Sequence, residues 1–207
     1  MKNCIKKIDH VTYAVAQGRI EMWAWYHVEI EGGRLINIID DVEPLSSSSS
    51  MRLWCIDYGS FGIALVEGID RADESQVTRF VRKHGDHAVQ HVAYETDDLS
   101  VFASRLEAHG VRFRGEIVGR EEGLDRVLQL FCKGYDRGDP TEASFPEYLE
   151  RRRADPLADP AITFSSQAGR SFYRQIEDAS AAGDHEAMID FSAVRRSWQP
   201  FHRRERK

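Results

Sequence analysis

The sequence predicts an α+β protein in which two βαβββ modules pair into a half-open barrel, followed by a C-terminal helical extension. One observation is that segments typical of strands and helices occur twice in the same order, over about 5–70 and 86–151. Another is that the similar stretches "IDHVTY" and "VQHVAY" open the two modules. Because one module alone would leave a face of its sheet uncovered, the two are expected to curl around a shared cavity.

The first module begins with a strand over 6–15, where β-branched and aromatic residues alternate. Residues 18–30 predict a helix with an apolar stripe that includes Met22, Trp25 and Tyr26. The serines at 46–50 predict a solvent-facing loop. Three further strands are predicted at 35–40, 51–59 and 61–68.

The second module follows a connector at 75–85 that is either helical or extended. Its first strand is predicted at 88–96, and Asp97 or Asp98 caps a helix that ends at Gly110. The remaining strands are predicted at 111–118, 126–134 and 144–151. Pro146 lies in the last of these, and since proline cannot donate to a ladder, it indicates an edge or an irregular position.

The predicted organisation is a catalytic domain over 1–151 and a C-terminal lid with a basic tail over 152–207. The lid contains an amphipathic helix at 169–182 and a final segment at 184–198. Arginines and aromatic residues interleave in the tail, which would suit RNA or an acidic partner. A solvated basic terminus is the preferred interpretation.

Composition favours a globular cytoplasmic protein. The chain has 207 residues, a net charge of −6 and three widely spaced cysteines without a CxxC pair. This pattern indicates a reducing compartment and argues against disulfides, a cysteine-based zinc site or a nucleic-acid binder. No stretch is long and apolar enough to predict a membrane span, and no apolar region of a signal peptide follows the N-terminal lysines.

Two of the eight histidines stand out, because His10 and His91 occupy matching positions in the first strand of each module. Module pairing would bring these rings face to face across the cavity. Glu147 shares a strand face with Phe145 and Leu149, where a carboxylate needs a cation to be tolerated. Two histidines and one carboxylate form the ligand set of a non-haem iron site with open positions. The alternative is a hydrogen-bonded core His91 with an outward Glu147; the repeat favours the metal site.

Four stretches carry a family resemblance: "IDHVTYAV", "ESQVTRFVRKHGDHAVQHVAYETDDL", "VLQLFCK" and "FPEYLER". Over roughly 5–180 the chain resembles the C-terminal, catalytic half of the 4-hydroxyphenylpyruvate dioxygenase and 4-hydroxymandelate synthase family, in the vicinal oxygen chelate superfamily. The resemblance implies that superfamily's half-open barrel, with Fe(II) held by His10, His91 and Glu147.

The resemblance also implies a substrate pocket. Its residues would be Gln76, Gln90, Gln129, Phe131 and Phe145. The chain departs from the family's pattern at three further candidate positions, Arg52, Glu67 and Phe164. Arg52 could pair a second anionic group, Glu67 could pair an amine, and Phe164 could serve in the lid. The substrate therefore need not be 4-hydroxyphenylpyruvate.

The activity implied is oxidative decarboxylation and hydroxylation of a 2-oxo acid with O₂. Ligation needs neutral histidines, so activity should fall at low pH. Three alternatives stay open: a ring-cleaving extradiol dioxygenase, an isomerase or lyase, and a metal-free protein that sequesters a ligand. An isomerase of this superfamily would want a fourth ligand at the position of Ala64. A homodimer could replace the family's second barrel.

Overall fold

The computed structural model describes residues 4–46, 48–122, 125–152 and 166–194. These residues form one curled eight-stranded sheet with four α-helices. The strands are β1 Ile5–Val15, β2 Arg34–Ile39, β3 Ser49–Asp57, β4 Gly62–Asp70, β5 Ala88–Thr96, β6 Val118–Glu122, β7 Asp125–Phe131 and β8 Phe145–Arg152. The helices are α1 Ile20–Trp25, extended by a π-helical turn Tyr26–Ile30, α2 Gln76–His84, α3 Leu99–Ala108 and α4 Ser166–Ala181, with a 3₁₀ turn at Pro140–Glu142.

The strand order shows the two modules directly. It runs β2-β3-β4-β1-β5-β8-β7-β6, so each half of the sheet has the same order when counted outward from the centre. The opening strands β1 and β5 pair antiparallel at the centre, while β1 runs parallel to β4 and β5 parallel to β8. The two modules are therefore related by a pseudo-two-fold axis between β1 and β5, which confirms the predicted fold class.

Local signals placed most of the second module correctly. The uncertain connector is helix α2, which begins after Ser75, whose side chain accepts a hydrogen bond from the Val77 amide. Asp98 is the cap of α3 and accepts from the Val101 amide at 2.9 Å. The starts of α2 and α3 thus have capping residues of the preferred type.

The strand predicted over 111–118 was wrong. Only isolated bridges occur there, joining Val111 to Ile189 and Phe113 to Cys132, and the strand β6 starts at Val118. The Arg112 amide donates to the carbonyl of Met188 at 2.7 Å. The backbone of this segment therefore hydrogen bonds with the C-terminal part of the chain. Local sequence patterns do not reveal such a long-range pairing.

The apolar stripe of the first helix was also assigned to the wrong face. Ile20 and Ala24 are buried, whereas Met22 and Trp25 are exposed by 57% and 59%. The π-helical turn after Trp25 changes the angular spacing of side chains, so the regular helical period does not apply across 18–30. The buried side includes His27 instead.

The serine run is only partly a loop. Ser49 and Ser50 open β3 and are buried. The Ser50 hydroxyl donates to Asp41 at 2.5 Å, and Ser49 hydrogen bonds with the Tyr173 hydroxyl at 2.7 Å. Serine is tolerated inside because each hydroxyl has a partner.

Pro146 does not mark an edge strand, because β8 lies between β5 and β7. The β7–β8 ladder ends with the pair Phe131 and Glu147, so Pro146 lies just beyond it. Its carbonyl still accepts from the Cys132 amide at 3.1 Å. Pro146 thus lies beyond the last pair of the β7–β8 ladder, although it still pairs with Val92 in the β5–β8 ladder.

Helix α4 packs against the apolar side of the sheet that carries Leu53 and Phe131, and Phe172 of α4 is part of the same core. Gly169 permits this approach, since a Cβ there would lie 3.0 Å from side-chain atoms of Leu53 and Val42. The predicted Phe164 and the tail over 195–207 lie outside the described residues. In the part of the chain that is described, no helix has the length and apolarity needed to cross a membrane.

Candidate metal centre

Three neighbouring strands at the centre of the sheet bring the predicted ligands together. His10 on β1 is in register with Ala93 on β5, and Ala93 is in register with Glu147 on β8. His91 stands two residues before Ala93, on the same face of β5. The small Ala93 side chain leaves space between the two outer ligands. The pseudo-two-fold axis and this single row of residues therefore explain why distant sequence positions converge.

The ligand atoms lie at separations that one metal ion would bridge. The distance from Glu147 Oε2 is 3.5 Å to His10 Nε2 and 3.4 Å to His91 Nε2. Ligands about 2.1 Å from one ion stand roughly 3.0–3.4 Å apart in octahedral or tetrahedral arrangement. All three side chains are buried, and they form a candidate metal-binding group among the described residues. The donor set and its spacing fit a divalent transition metal.

The charges of the group suit metal binding. Burial would raise the pKa of Glu147, but hydrogen bonds from His10 and His91 outweigh it and hold the pKa at about 2. Burial lowers the pKa of His91. Burial would also lower the pKa of His10, but hydrogen bonds to Asp9 and Glu147 raise it. Near neutral pH the group thus offers an ionised carboxylate and a neutral His91, while an ion would replace the proton on His10.

A buried ion pair positions His10. Asp9 Oδ1 lies 2.8 Å from His10 Nδ1, and Arg151 donates to both Asp9 oxygens at 2.7 and 2.9 Å. Burial would raise the pKa of Asp9, but the hydrogen bonds from Arg151 and His10 hold it well below the usual range. The contact fixes the tautomer of His10 with Nε2 toward Glu147. Sequence reasoning missed this pair, although Asp9 adjoins His10 and Arg151 follows Glu147 by four residues on one strand face.

His91 is oriented mainly by packing. Its ring stacks on the ring of Phe145, with centroids 4.9 Å apart. The guanidinium of Arg114 lies 4.3 Å from the centroid of the same Phe145 ring. The Thr12 hydroxyl lies 2.9 Å from His91 Nε2. No hydrogen-bond partner of His91 Nδ1 occurs among the described residues. Phe145 therefore packs against the ring of His91 and does not line the cavity.

The cavity beside the three ligands is small. Its volume is about 20 Å³, which is room for about one water molecule. Gln129 and Phe131 line it, and Phe172 of α4 closes it with its ring 5.0 Å from that of His91; contact of Gln129 and Phe131 with a substrate stays a prediction. An organic substrate would need Phe172 or α4 to move outward. The part of the predicted lid that is described thus covers the ligand group.

Two predicted substrate residues lie elsewhere. The Gln76 amide group donates to the Tyr173 carbonyl at 2.8 Å, and the Gln76 backbone amide donates to Glu177 at 3.1 Å. Gln76 therefore ties α2 to α4 instead of lining the cavity. Gln90 is buried but does not line the cavity; the register of β1 and β5 passes from the pair Thr12–His91 to the pair Tyr13–Val89 and skips it. The structure thus places neither Gln76 nor Gln90 at the cavity, where the sequence interpretation had expected them.

Arg52 and Glu67 also lie outside the cavity. Leu53 and Val66 are the residues of β3 and β4 that line it, so their neighbours Arg52 and Glu67 face the other way. Arg52 pairs with Asp40 at 3.0 Å on the outer side of the sheet. The charged residue that sequence reasoning missed is Arg120, which is 4% exposed and does line the cavity.

Glu67 supports the fold instead. Its Oε2 accepts from the backbone amides of Arg19 and Ile20, at 2.9 and 2.8 Å, and so caps the start of α1. We expect Glu67→Ala to lower the free energy of unfolding by about 1–3 kcal/mol, because the buried amide of Ile20 and the part-buried amide of Arg19 lose their acceptor. Urea unfolding would measure this, and metal affinity should stay unchanged. A loss of metal binding at full stability would contradict a purely structural role.

The first module supplies no fourth ligand. Thr12 pairs with Ala64 on β4 just as Ala93 pairs with Glu147 on β8. Ala64 is therefore the pseudo-symmetric counterpart of Glu147, and it lines the cavity. An alanine there leaves that side of the group open for a bound molecule.

Comparisons with known proteins agree with this picture. No family model matches the chain. It is 30% identical over 134 residues to 4-hydroxyphenylpyruvate dioxygenase from Pseudomonas aeruginosa, covering 59% of this chain and 37% of that protein. It is also 30% identical over 135 residues to hemolysin VllY from Vibrio vulnificus, covering 60% and 37%. A triple mutant of 4-hydroxymandelate synthase from Streptomyces coelicolor superposes with a TM-score of 0.63 at 17% identity, covering 84% and 55%.

These matches confirm the predicted resemblance to 4-hydroxyphenylpyruvate dioxygenases and the vicinal oxygen chelate fold. The matched region spans about 37% of the length of the first curated relatives.

Proposed function

We propose that the protein is an Fe(II)-dependent dioxygenase that decarboxylates and hydroxylates a 2-oxo acid with O₂. The observation that carries the proposal is the buried group of His10, His91 and Glu147, with Ala64 at the fourth position. Two histidines and one carboxylate with an open side are typical of non-haem Fe(II) oxygenases. The similarity to 4-hydroxyphenylpyruvate dioxygenases supports the same choice.

Fe(II) bound by these three residues would supply a site at which a 2-oxo acid and O₂ react together. The chain's own residues hold the site in shape. Asp9 and Arg151 fix His10, and Phe145 packs on His91. Phe131 and Phe172 make the cavity apolar and exclude water, while the Gln129 amide is available to a polar group of the substrate.

The alternatives are less well supported by the same residues. A ring-cleaving dioxygenase would need a further histidine or tyrosine as acid and base. Within the described chain, His10 and His91 are the only such residues that line the cavity. An isomerase with a four-ligand site is disfavoured by Ala64.

Oxygen consumption tests the proposal. Protein reconstituted with Fe(II) should consume O₂ and release CO₂ in equal amounts with at least one member of a panel of aryl and alkyl 2-oxo acids. Chelation of the metal should abolish both signals. Tight ligand binding that survives chelation and needs no O₂ would overturn the proposal in favour of a sequestering protein.

A further inference from the structure

We infer that the cavity selects a 2-oxo acid whose side chain ends in an apolar group, and that Leu53, Ala64 and Val66 form the wall that receives this side chain. The inference rests on the proposed function, since it assumes that the carboxylate and oxo groups of the substrate are held at the metal side. It makes these three residues determinants of specificity, and a hydroxyl group at the end of the substrate should weaken binding.

The pseudo-two-fold axis shows on which side of the ligand group a substrate has room. Ala64 is the counterpart of Glu147, and the residues that pair with these two on the next strand are Cys55 and Phe131. At both positions the first module therefore carries the smaller side chain. Phe131 fills the side of the second module, where its ring lies 5.5 Å from that of Phe172. The open side of the ligand group thus faces β3 and β4.

The inward residues of β3 and β4 beside the ligand group are apolar. They belong to one buried apolar cluster and are Met51, Leu53, Cys55, Ala64 and Val66. Leu53 pairs directly with Val66, and both line the cavity. Because these residues are part of the sheet, the wall keeps its apolar character when α4 moves outward to admit a substrate.

The polar side chains at the cavity lie elsewhere. Strand pairing makes Gln129 the counterpart of Leu53, so the amide belongs to the second module. Arg120 also belongs to the second module, and it has an interaction within the protein. The Thr12 hydroxyl lies 2.9 Å from His91 Nε2, at the ligand group itself. A side chain that extends over the first module therefore meets no polar partner among the described residues that line the cavity.

This arrangement discriminates between substrates by the end of the side chain. A hydroxyl group pressed against Leu53 and Val66 would lose its hydrogen bonds to water without gaining a partner, which weakens binding. A methyl group or an unsubstituted ring in the same place would be stabilised by burial of its apolar surface. The wall thus favours an alkyl or unsubstituted aryl 2-oxo acid.

The test compares matched acids that differ at the end of the side chain. One pair is phenylpyruvate and 4-hydroxyphenylpyruvate, and the other is 2-oxohexanoate and 5-hydroxy-2-oxopentanoate, in which a hydroxyl replaces the terminal methyl group. Zn(II)-loaded protein allows binding to be measured by calorimetry without turnover. We expect the apolar member of at least one pair to bind about 10- to 100-fold more tightly, the range given by an unpaired buried hydroxyl. Equal affinity within both pairs, or no binding of any of the four acids, would overturn the inference.

Two variants assign the selection to this wall. Val66→Thr keeps the volume of the side chain and adds a hydroxyl, so it should reduce the preference for the apolar acid. Ala64→Leu should weaken binding of all four acids and leave Zn(II) affinity unchanged. Val15→Thr is the matched control, because Val15 is as buried as Val66 but belongs to the cluster on the other face of the sheet. Unchanged acid binding in Ala64→Leu, or the same preference in Val66→Thr as in Val15→Thr, would overturn the assignment.

Oxygen uptake separates this inference from the proposed function. In the Fe(II) protein a terminal hydroxyl on the substrate should change KM more than kcat. If the Zn(II) protein shows the preference but no acid supports oxygen uptake, the proposed function fails while the binding selectivity stands. If both members of each pair support oxygen uptake with equal kcat/KM, the inference fails while the proposed function stands.

Discussion

Replacing Glu147 with alanine is expected to abolish oxygen uptake and to weaken metal binding by more than about 100-fold. Loss of an outer residue that merely orients a ligand already costs 10- to 100-fold in affinity, and Glu147 is itself the carboxylate of the group. Its Oε2 lies within 3.5 Å of both histidine nitrogens, so the variant leaves two neutral rings without an anion. Two histidines alone cannot neutralise a divalent ion in a buried cavity.

The measurement is a titration of Glu147→Ala and wild-type protein with Co(II), followed by absorbance, together with oxygen uptake of the Fe(II) forms. Glu147→Asp is the conservative variant. It keeps the charge, but its side chain is one methylene group shorter, so the carboxylate lies farther from the two histidines. Glu116→Gln is the matched control, because that carboxylate is exposed. Wild-type metal affinity in Glu147→Ala would exclude the proposed ligand set.

The variant should remain folded. The variant loses the hydrogen bonds from His10 and His91, which outweigh the cost of burying the carboxylate, but it also loses that cost, so the metal-free fold is expected to be weakened and still formed. His10 keeps its hydrogen bond to Asp9. Circular dichroism and a thermal melt of the metal-free protein can therefore separate loss of the site from loss of the fold.

The three ligand residues could be predicted from the sequence because the two modules repeat the same pattern around a histidine. His10 and His91 occupy equivalent places in two modules, and Glu147 lies on a strand whose alternation with Phe145 and Leu149 directs it inward. These are local patterns plus one symmetry assumption. The structure satisfies both, since β1 and β5 pair at the pseudo-two-fold axis.

The remaining errors have physical causes. Arg52 and Glu67 were placed in the cavity by alignment alone, although alternation with Leu53 and Val66 puts them on the outer face. Arg120 was missed because it lies on a strand that the sequence placed several residues too early, at 111–118. The position of a strand decides which of its residues face inward. When the strand is placed wrongly, an inward-facing charged residue such as Arg120 is not recognised.

Asp9 was missed for another reason, since its partner Arg151 is 142 residues away. We expect Asp9→Asn and Arg151→Met each to lower the free energy of unfolding by about 3–5 kcal/mol, because either change leaves one charge buried without its partner. The double variant should recover part of this loss, since it removes both charges. Metal affinity should fall about 10- to 100-fold in Asp9→Asn and should not recover in the double variant, because His10 has lost its orienting carboxylate.

Urea unfolding and Co(II) titration of the four proteins measure these two effects separately. Arg82→Met serves as a control, because Arg82 and Glu74 form an ion pair in which the arginine is 61% exposed, and such pairs contribute about 1 kcal/mol or less. Recovery of metal affinity in the double variant would mean that the pair stabilises the fold without positioning His10.

The dependence of the unfolding free energy on pH distinguishes the contribution of the Asp9 charge from a general packing effect. Hydrogen bonds from Arg151 and His10 outweigh burial and hold the pKa of Asp9 well below its usual range. A group whose folded pKa is lowered stabilises the fold fully above its unfolded pKa, which is about 3.9 for aspartate. That stabilisation is lost as the pH falls through the folded value. The difference in unfolding free energy between wild type and Asp9→Asn, measured without metal, should therefore be full at neutral pH and shrink below about pH 4. A difference that stays constant into acid would show that Asp9 acts through its shape and not through its charge.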